Sequence, residues 1–168
     1  MKSTIRYCWE CGEKAEERYA DGRIRKVCIS CGMILYENPF PTTAALVENA
    51  DQELLLVRRA VRPAKGHWCL PGGFLELGET PEDGVLRELK EETNLDGEIN
   101  GLVGVQPSLY GVWGDVVVIG FAVQTNGGVI RPGDDAAEVR YFPRDDLPRL
   151  AFNTHTALVR TYMNNYKR

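Results

Sequence analysis

Four of the five cysteines fall within the first 31 residues, as the pairs CWEC (Cys8, Cys11) and CISC (Cys28, Cys31) with 16 residues between them. This pattern constrains the start of the chain more than any other feature. Each pair can place two sulfurs on one ion, and the glycine after each pair permits the positive φ of a tight turn. Four thiolates at this spacing suit a tetrahedral zinc ion. Two disulfides are the poorer reading in a chain with no visible secretory leader, and a redox Cys-x-x-Cys normally occurs once, beside a βαβ pattern. About 37 residues bury too little surface to fold unaided, so the metal supplies much of the folding free energy. With four cysteines no coordination position stays open, which makes the expected zinc structural.

The sequence predicts three parts: a stapled module over 1–37, a linker over 38–41, and a larger domain over 42–168. Two prolines in NPFPT (38–42) restrict the backbone to extended or turn shapes and motivate the linker. Arg23, Arg25 and Lys26 lie between the cysteine pairs, yet residues 1–41 carry seven basic and six acidic residues, so a solvated face is favoured there. Residues 42–168 carry 13 basic and 18 acidic residues, and the whole chain has a net charge of −4, which argues against broad binding to nucleic acid. Without a membrane-length apolar run or a leader pattern, the expected setting is soluble and cytoplasmic, with no membrane partner.

In the larger domain, TAALVE (43–48) and ELLLVRR (53–59) read as a strand pair joined by the polar turn NADQ. HWCLPGG (67–73) reads as a short strand ending in a glycine turn, DVVVIGFAV (115–123) as a strand buried on both faces, and EVRYF (138–142) as a half-buried strand. Segments 81–93 and 151–165 read as helices. The fold class expected is α+β: an α/β/α sandwich with a mixed sheet, preceded by a small zinc ribbon.

The first helix has clear punctuation. Thr80 can cap it with Asp83 three residues on, Pro81 suits the first helical position, and Asn94 suits a left-handed stop. Gly84 inside it implies that something packs close. RELKEET (87–93) then sets Glu88, Glu91 and Glu92 at i, i+3 and i+4, on one face. Like charges so placed repel. The arc is either a solvated surface partly balanced by Arg87 and Lys90, or an oxygen site for magnesium or manganese with phosphates completing the shell.

From Gly73 to Leu95 the chain reads GFLELGETPEDGVLRELKEETNL. This resembles the signature box of the Nudix hydrolases, matching at Gly73, Glu79, Arg87, Glu88, Leu89, Glu91, Glu92 and Leu95. Asn94 stands where the pattern has its last glycine, a position a left-handed asparagine can fill. The lead-in WCLPGG and the later EVRYFPRDDLP also resemble the family. The resemblance implies that Glu88, Glu91, Glu92 and the Gly72 carbonyl hold catalytic magnesium or manganese, with Arg87 and Glu79 orienting the acids. It implies hydrolysis of a nucleoside diphosphate linked to a group X, a reaction that needs charge neutralisation and in-line positioning more than covalent chemistry. Glu88 and Glu92 are candidates for ligation and for base work, and Glu138 is a further base candidate, with a solvated strand start as its alternative.

For substrate contacts, Arg58 and Arg59 close a strand, and at least one is expected to grip a diphosphate, with a surface cation as the alternative. Tyr110 and Trp113, in the expected loop QPSLYGVWGD (106–115), suit stacking on a base, although packing or a dimer contact would use the same residues. Phe152 and His155, in LAFNTH, are expected to line the same cleft. A zinc ribbon before such a domain resembles two subgroups. The NADH pyrophosphatases carry a Gln-Pro-Trp-Pro-Phe-Pro array, of which only Gln106-Pro107 survives here. The ADP-ribose or FAD pyrophosphatases look more similar through the ribbon, the box and LAF. The expected substrate is therefore ADP-ribose or FAD, yielding AMP and a second monophosphate, with NADH or NAD as the alternative and a possible homodimer as the assembly. A non-catalytic nucleotide-binding or regulatory module, its ribbon recruiting nucleic acid or protein, is the alternative of another class. The presence of all three acids speaks against it.

Overall fold

The computed structural model describes residues 4–111, 114–133 and 135–165. It divides into two compact units, Met1–Pro39 and Phe40–Arg168.

In the first unit, β1 (Ala15–Ala20) and β2 (Arg23–Cys28) form an antiparallel hairpin, and β3 (Ile34–Leu35) extends it. The hairpin turns on Asp21 and Gly22, both at positive φ, the conformation that matches the twist of the flanking strands. The core is small: Cys8, Cys28 and Leu35, backed by Ile5, Ala15 and Met33. A core of this size stabilises little on its own.

The second unit begins directly with β4 (Phe40–Val47), so strand pairing starts inside the stretch expected as linker. There follow β5 (Glu53–Arg59), β6 (Trp68–Cys69), α1 (Pro81–Thr93), β7 (Leu95–Gly111), β8 (Gly114–Gly128), β9 (Ala136–Pro143) and α2 (Asn153–Asn165). β4, β8 and β7 form one sheet, with β4 parallel and β7 antiparallel to β8. β6, β5 and β9 form a second, antiparallel sheet.

Alternation along the strands sorts the core into two layers. Ala44 and Leu46 of β4 and Leu54 and Leu56 of β5 pack with Leu158, Val159 and Tyr162 of α2. Ala45, Val47 and Leu55 pack with Val85 and Leu89 of α1. The result is the expected α/β/α sandwich with mixed strands, and no helix among the described residues is long and apolar enough to cross a membrane.

Two sequence expectations are corrected. The runs 43–48 and 53–59 do not pair as a hairpin: apart from an isolated bridge between Glu48 and Leu54, they belong to different sheets. Both runs are apolar on both faces, and such strands gain more from central positions covered by helices than from a two-stranded ribbon. The second correction concerns 106–111, read as the start of a loop. These residues end β7, with Gln106 opposite Val118 and Gly111 opposite Gly114. Proline and glycine signals masked the strand. Its ladder absorbs them with four irregularities in register.

Candidate active site

The site is built where β4, the segment after β6 and α1 meet. Segment 71–75 runs along β4 through Ala45 N–H to the Pro71 carbonyl (2.8 Å), Thr43 N–H to the Gly73 carbonyl (2.8 Å) and Leu75 N–H to the Pro41 carbonyl (3.1 Å). The carbonyls on either side of Gly72 are thus taken by β4, and Gly72 itself lines a cavity of about 680 Å3. Gly72 has φ of 152°, and a Cβ there would stand 2.1 Å from the Thr43 carbonyl oxygen. A Cβ on Gly73 would stand 2.3 Å from Oε1 of Glu88. The two glycines therefore let the backbone close onto both the sheet and an acid of α1.

The helix forms as its sequence predicts. Thr80 Oγ1 accepts from Asp83 N–H (3.1 Å) and donates to the Asp83 carboxylate (2.6 Å), while Asn94 ends the helix in the left-handed conformation. Gly84 is closely packed, since a Cβ there would meet Leu75 at 2.3 Å. Val85 and Leu89 are fully buried and fix the rotation of the helix, which turns Glu88, Glu91 and Glu92 into the cavity wall.

The three acids occupy different environments. Glu91 is the most open, with 44% of its side chain exposed. Glu88 lies deeper, and burial raises its pKa despite the neighbouring Arg87. Glu92 is buried at 6% exposure and receives the Gly72 N–H at 3.0 Å. Burial pushes its pKa up to about 8; the N–H opposes that shift and the charge of Glu88 adds to it. No ion pair to Glu92 occurs among the described residues, and the Gly72 N–H and the charge of Arg59 offset its burial only in part. This donor set, hard oxygens at the edge of a cavity, fits a divalent metal.

Arg87 organises the wall. It makes a two-pronged pair with Glu79 (Nε 2.7 Å, Nη2 3.1 Å), reaches Glu88 and Glu91 through Nη1 at 2.9 Å each, and donates to the Phe74 carbonyl at 3.0 Å. Arg87 holds the Glu79 carboxyl below its usual pKa.

The remaining candidates are split by the sheet. Arg59 lines the cavity; its Nε donates to the Pro63 carbonyl at 2.7 Å, and its guanidinium stands 5.5 Å from the Phe152 ring centre. Phe152 packs against Arg59, and neither it nor the buried His155 is on the cavity wall. Arg58 points to the other face, where it pairs with Glu138 at 3.0 Å and stands 6.0 Å from the Trp68 ring centre. Glu138 is thus brought to Arg58 and not to the acids of α1. Trp113 and the side chain of Tyr110 lie outside the described residues. Arg62 and Asp135, which the sequence reading passed over, line the cavity with Pro63, Phe74 and Glu76. No local motif marks them; the pairing of β5 with β9 brings their loops together.

In the first unit, the sulfur pairs Cys8–Cys31, Cys11–Cys28 and Cys11–Cys31 are 3.8, 3.4 and 3.6 Å apart, and all four lie within 4.8 Å of one another. Sulfurs about 2.3 Å from a tetrahedral ion stand about 3.8 Å apart, so the cluster fits such a metal. No disulfide joins them. The N–H groups of Cys31 and Ser30 point at Cys28 Sγ, both at 3.4 Å, and lower its pKa to about 6.

Sandwich, glycine turn and acid helix together define a hydrolase acting on phosphoric anhydrides. The comparisons with known proteins agree: the NUDIX domain model matches residues 38–162 and the Nudix N-terminal zinc-ribbon model matches 6–37. The chain belongs to the Nudix family. It is 41% identical over 130 residues to the ADP-ribose pyrophosphatase of Methanocaldococcus jannaschii, covering 77% of this chain and 76% of that protein. It is 29% identical over 152 residues to the NAD-capped RNA hydrolase NudC of Vibrio atlanticus, covering 90% of this chain but only 54% of NudC. Among solved structures, a NUDIX hydrolase from Nitrosomonas europaea superposes with a TM-score of 0.84 at 31% identity, over 96% of this chain and 92% of that one.

Proposed function

We propose that the chain hydrolyses the diphosphate of ADP-ribose, or of a similar adenosine diphosphate such as FAD, to AMP and a second monophosphate. The observation that carries this reading is the cavity itself: three carboxylates of graded burial, the backbone of Gly72 and the cation Arg59 line one space of about 680 Å3. The M. jannaschii ADP-ribose pyrophosphatase, which the chain resembles over three quarters of both lengths, supports the choice of substrate.

Glu88, Glu91, Glu92 and the Gly72 carbonyl would hold magnesium or manganese, which supplies charge neutralisation of the diphosphate and a water of lowered pKa. Arg87 keeps Glu88 and Glu91 in place. Glu88 and Glu92 are the candidates to take the proton of the attacking water. Arg59, braced by Pro63 and Phe152, offers its outer N–H groups to a phosphate oxygen. Zinc is the ion proposed for Cys8, Cys11, Cys28 and Cys31.

NADH or NAD is the second reading, supported by the likeness to NudC. Incubating the full chain with magnesium and ADP-ribose, FAD, NADH or nucleoside triphosphates, with products resolved by chromatography, separates them. AMP from ADP-ribose or FAD at a higher kcat/KM than from NADH supports the first reading; NADH as the best substrate overturns it.

A further inference from the structure

Three arginines line the cavity, and two are already engaged. Arg87 donates to Glu79, Glu88, Glu91 and the Phe74 carbonyl. Arg59 donates to the Pro63 carbonyl and lies over Phe152. Arg62 is exposed and makes no hydrogen bond or ion pair with another described residue, although five carboxylates (Glu76, Glu88, Glu91, Glu92 and Asp135) share its cavity.

The loop that carries it is braced at several points. The Arg59 N–H bonds the His67 carbonyl at 3.0 Å, the Gly66 N–H the Arg59 carbonyl at 2.8 Å, and the His67 N–H the Ala64 carbonyl at 3.0 Å. The Ala60 N–H bonds the Asp135 carbonyl at 2.7 Å, tying the loop to the approach to β9. On a braced backbone the ordering cost of binding is confined to the Arg62 side chain itself, which shares the cavity with acids it does not pair with.

Resting on the proposed diphosphatase reading, we infer that Arg62 is a substrate-binding residue, gripping non-bridging oxygens of the diphosphate from the side opposite the acids of α1. The guanidinium fork matches two phosphate oxygens, which a lysine cannot reproduce. The grip is made equally with substrate and transition state, so its loss raises KM and leaves kcat nearly unchanged.

The test uses the full chain with magnesium, and two readouts. Turnover of ADP-ribose gives kcat and KM. Calorimetric binding of the methylene-bridged ADP-ribose analogue, whose P–C–P link resists hydrolysis, gives affinity without chemistry. Arg62→Ala is expected to raise KM and weaken analogue binding by about ten-fold or more, with kcat within about three-fold and the melting temperature unchanged, as loss of one charge-assisted contact implies. Arg62→Lys is expected to fall between Ala and wild type. Unchanged analogue binding, a fall in kcat alone, full recovery by lysine, or a lowered melting temperature overturns the inference. A wild type that binds the analogue without cleaving ADP-ribose overturns the proposed activity while the binding comparison still decides the role of Arg62. A wild type that binds neither overturns both.

Discussion

His155 sits on α2 with 7% exposure, and its Nδ1 accepts the Leu70 N–H at 3.1 Å. Burial, helped by the charge of Arg59, lowers its pKa to about 4. The ring is therefore neutral in the folded protein across the physiological range, while an unfolded histidine titrates near 6.5. The unfolded state binds the extra proton, so stability is full above about pH 6.5 and falls as pH drops toward 4. Between pH 8 and pH 5 an unfolded histidine gains close to 1.5 pH units of protonation free energy, or about 2 kcal/mol. His155→Asn retains an acceptor near the Leu70 N–H and removes the titration. Urea unfolding of both proteins at a series of pH values isolates the effect, because every other group is common to the two. The stability advantage of wild type over the variant is expected to shrink by about 2 kcal/mol from pH 8 to pH 5. The chain has only two histidines, and His67 is exposed, so proton NMR titration reads His155 directly. A ring titrating near 6.5, or a stability difference that stays constant with pH, refutes the reasoning.

Elemental analysis is expected to give one zinc per chain, and chelation to collapse the amide dispersion of β1 and β2, since the core cluster of that unit is as small as Cys8, Cys28 and Leu35 with a few partly buried neighbours. Glu92→Gln keeps an acceptor for the Gly72 N–H but not the charge, so magnesium-dependent hydrolysis is expected to fall by at least about 100-fold with the far-UV spectrum intact; near wild-type turnover at limiting magnesium would refute this. Because burial raises the Glu92 pKa to about 8, the stability it contributes is present at acid pH and lost as pH rises through that value; in metal-free buffer the Gln variant should thus gain on wild type from about pH 5 to pH 8, measured by thermal melts. Gly72→Ala forces a Cβ to 2.1 Å from the Thr43 carbonyl and is expected to cost about 3 kcal/mol or more in urea unfolding, whereas Gly73→Ala, meeting only the end of Glu88, should cost less but impair turnover.

The parts of the molecule set by local chemistry were readable in the sequence. Cap, proline, acids and left-handed Asn94 defined α1 to the residue, because each acts within one turn of its neighbours. Each cysteine pair was legible for the same reason, and the β1–β2 hairpin between the pairs brings the two together. Partners across the sheet were not readable. Periodicity marked the 43–48 and 53–59 runs as strands but could not say that β8 and β9, more than 70 residues onward, would claim them. Asp21-Gly22 was a legible hairpin turn that composition alone overlooked. The gathering of Arg62 and Asp135 beside the acids follows from strand pairing at long range, and no spacing rule carries it.

Arg58 and Arg59 are chemically identical neighbours with unrelated surroundings. One meets Glu138 and Trp68, the other the acid cavity. The ladder between β5 and β9 shifts register between them: Arg58 stands opposite Glu138, and Arg59 opposite Ala136. A bulge of this kind bends a strand and re-aims the side chains beside it. The same irregularity that interrupts the pairing thus gives two adjacent arginines separate tasks, one closing a surface ion pair and one left over the acids. Restoring regular pairing there would cost the cavity this cation without changing a single charge in the chain.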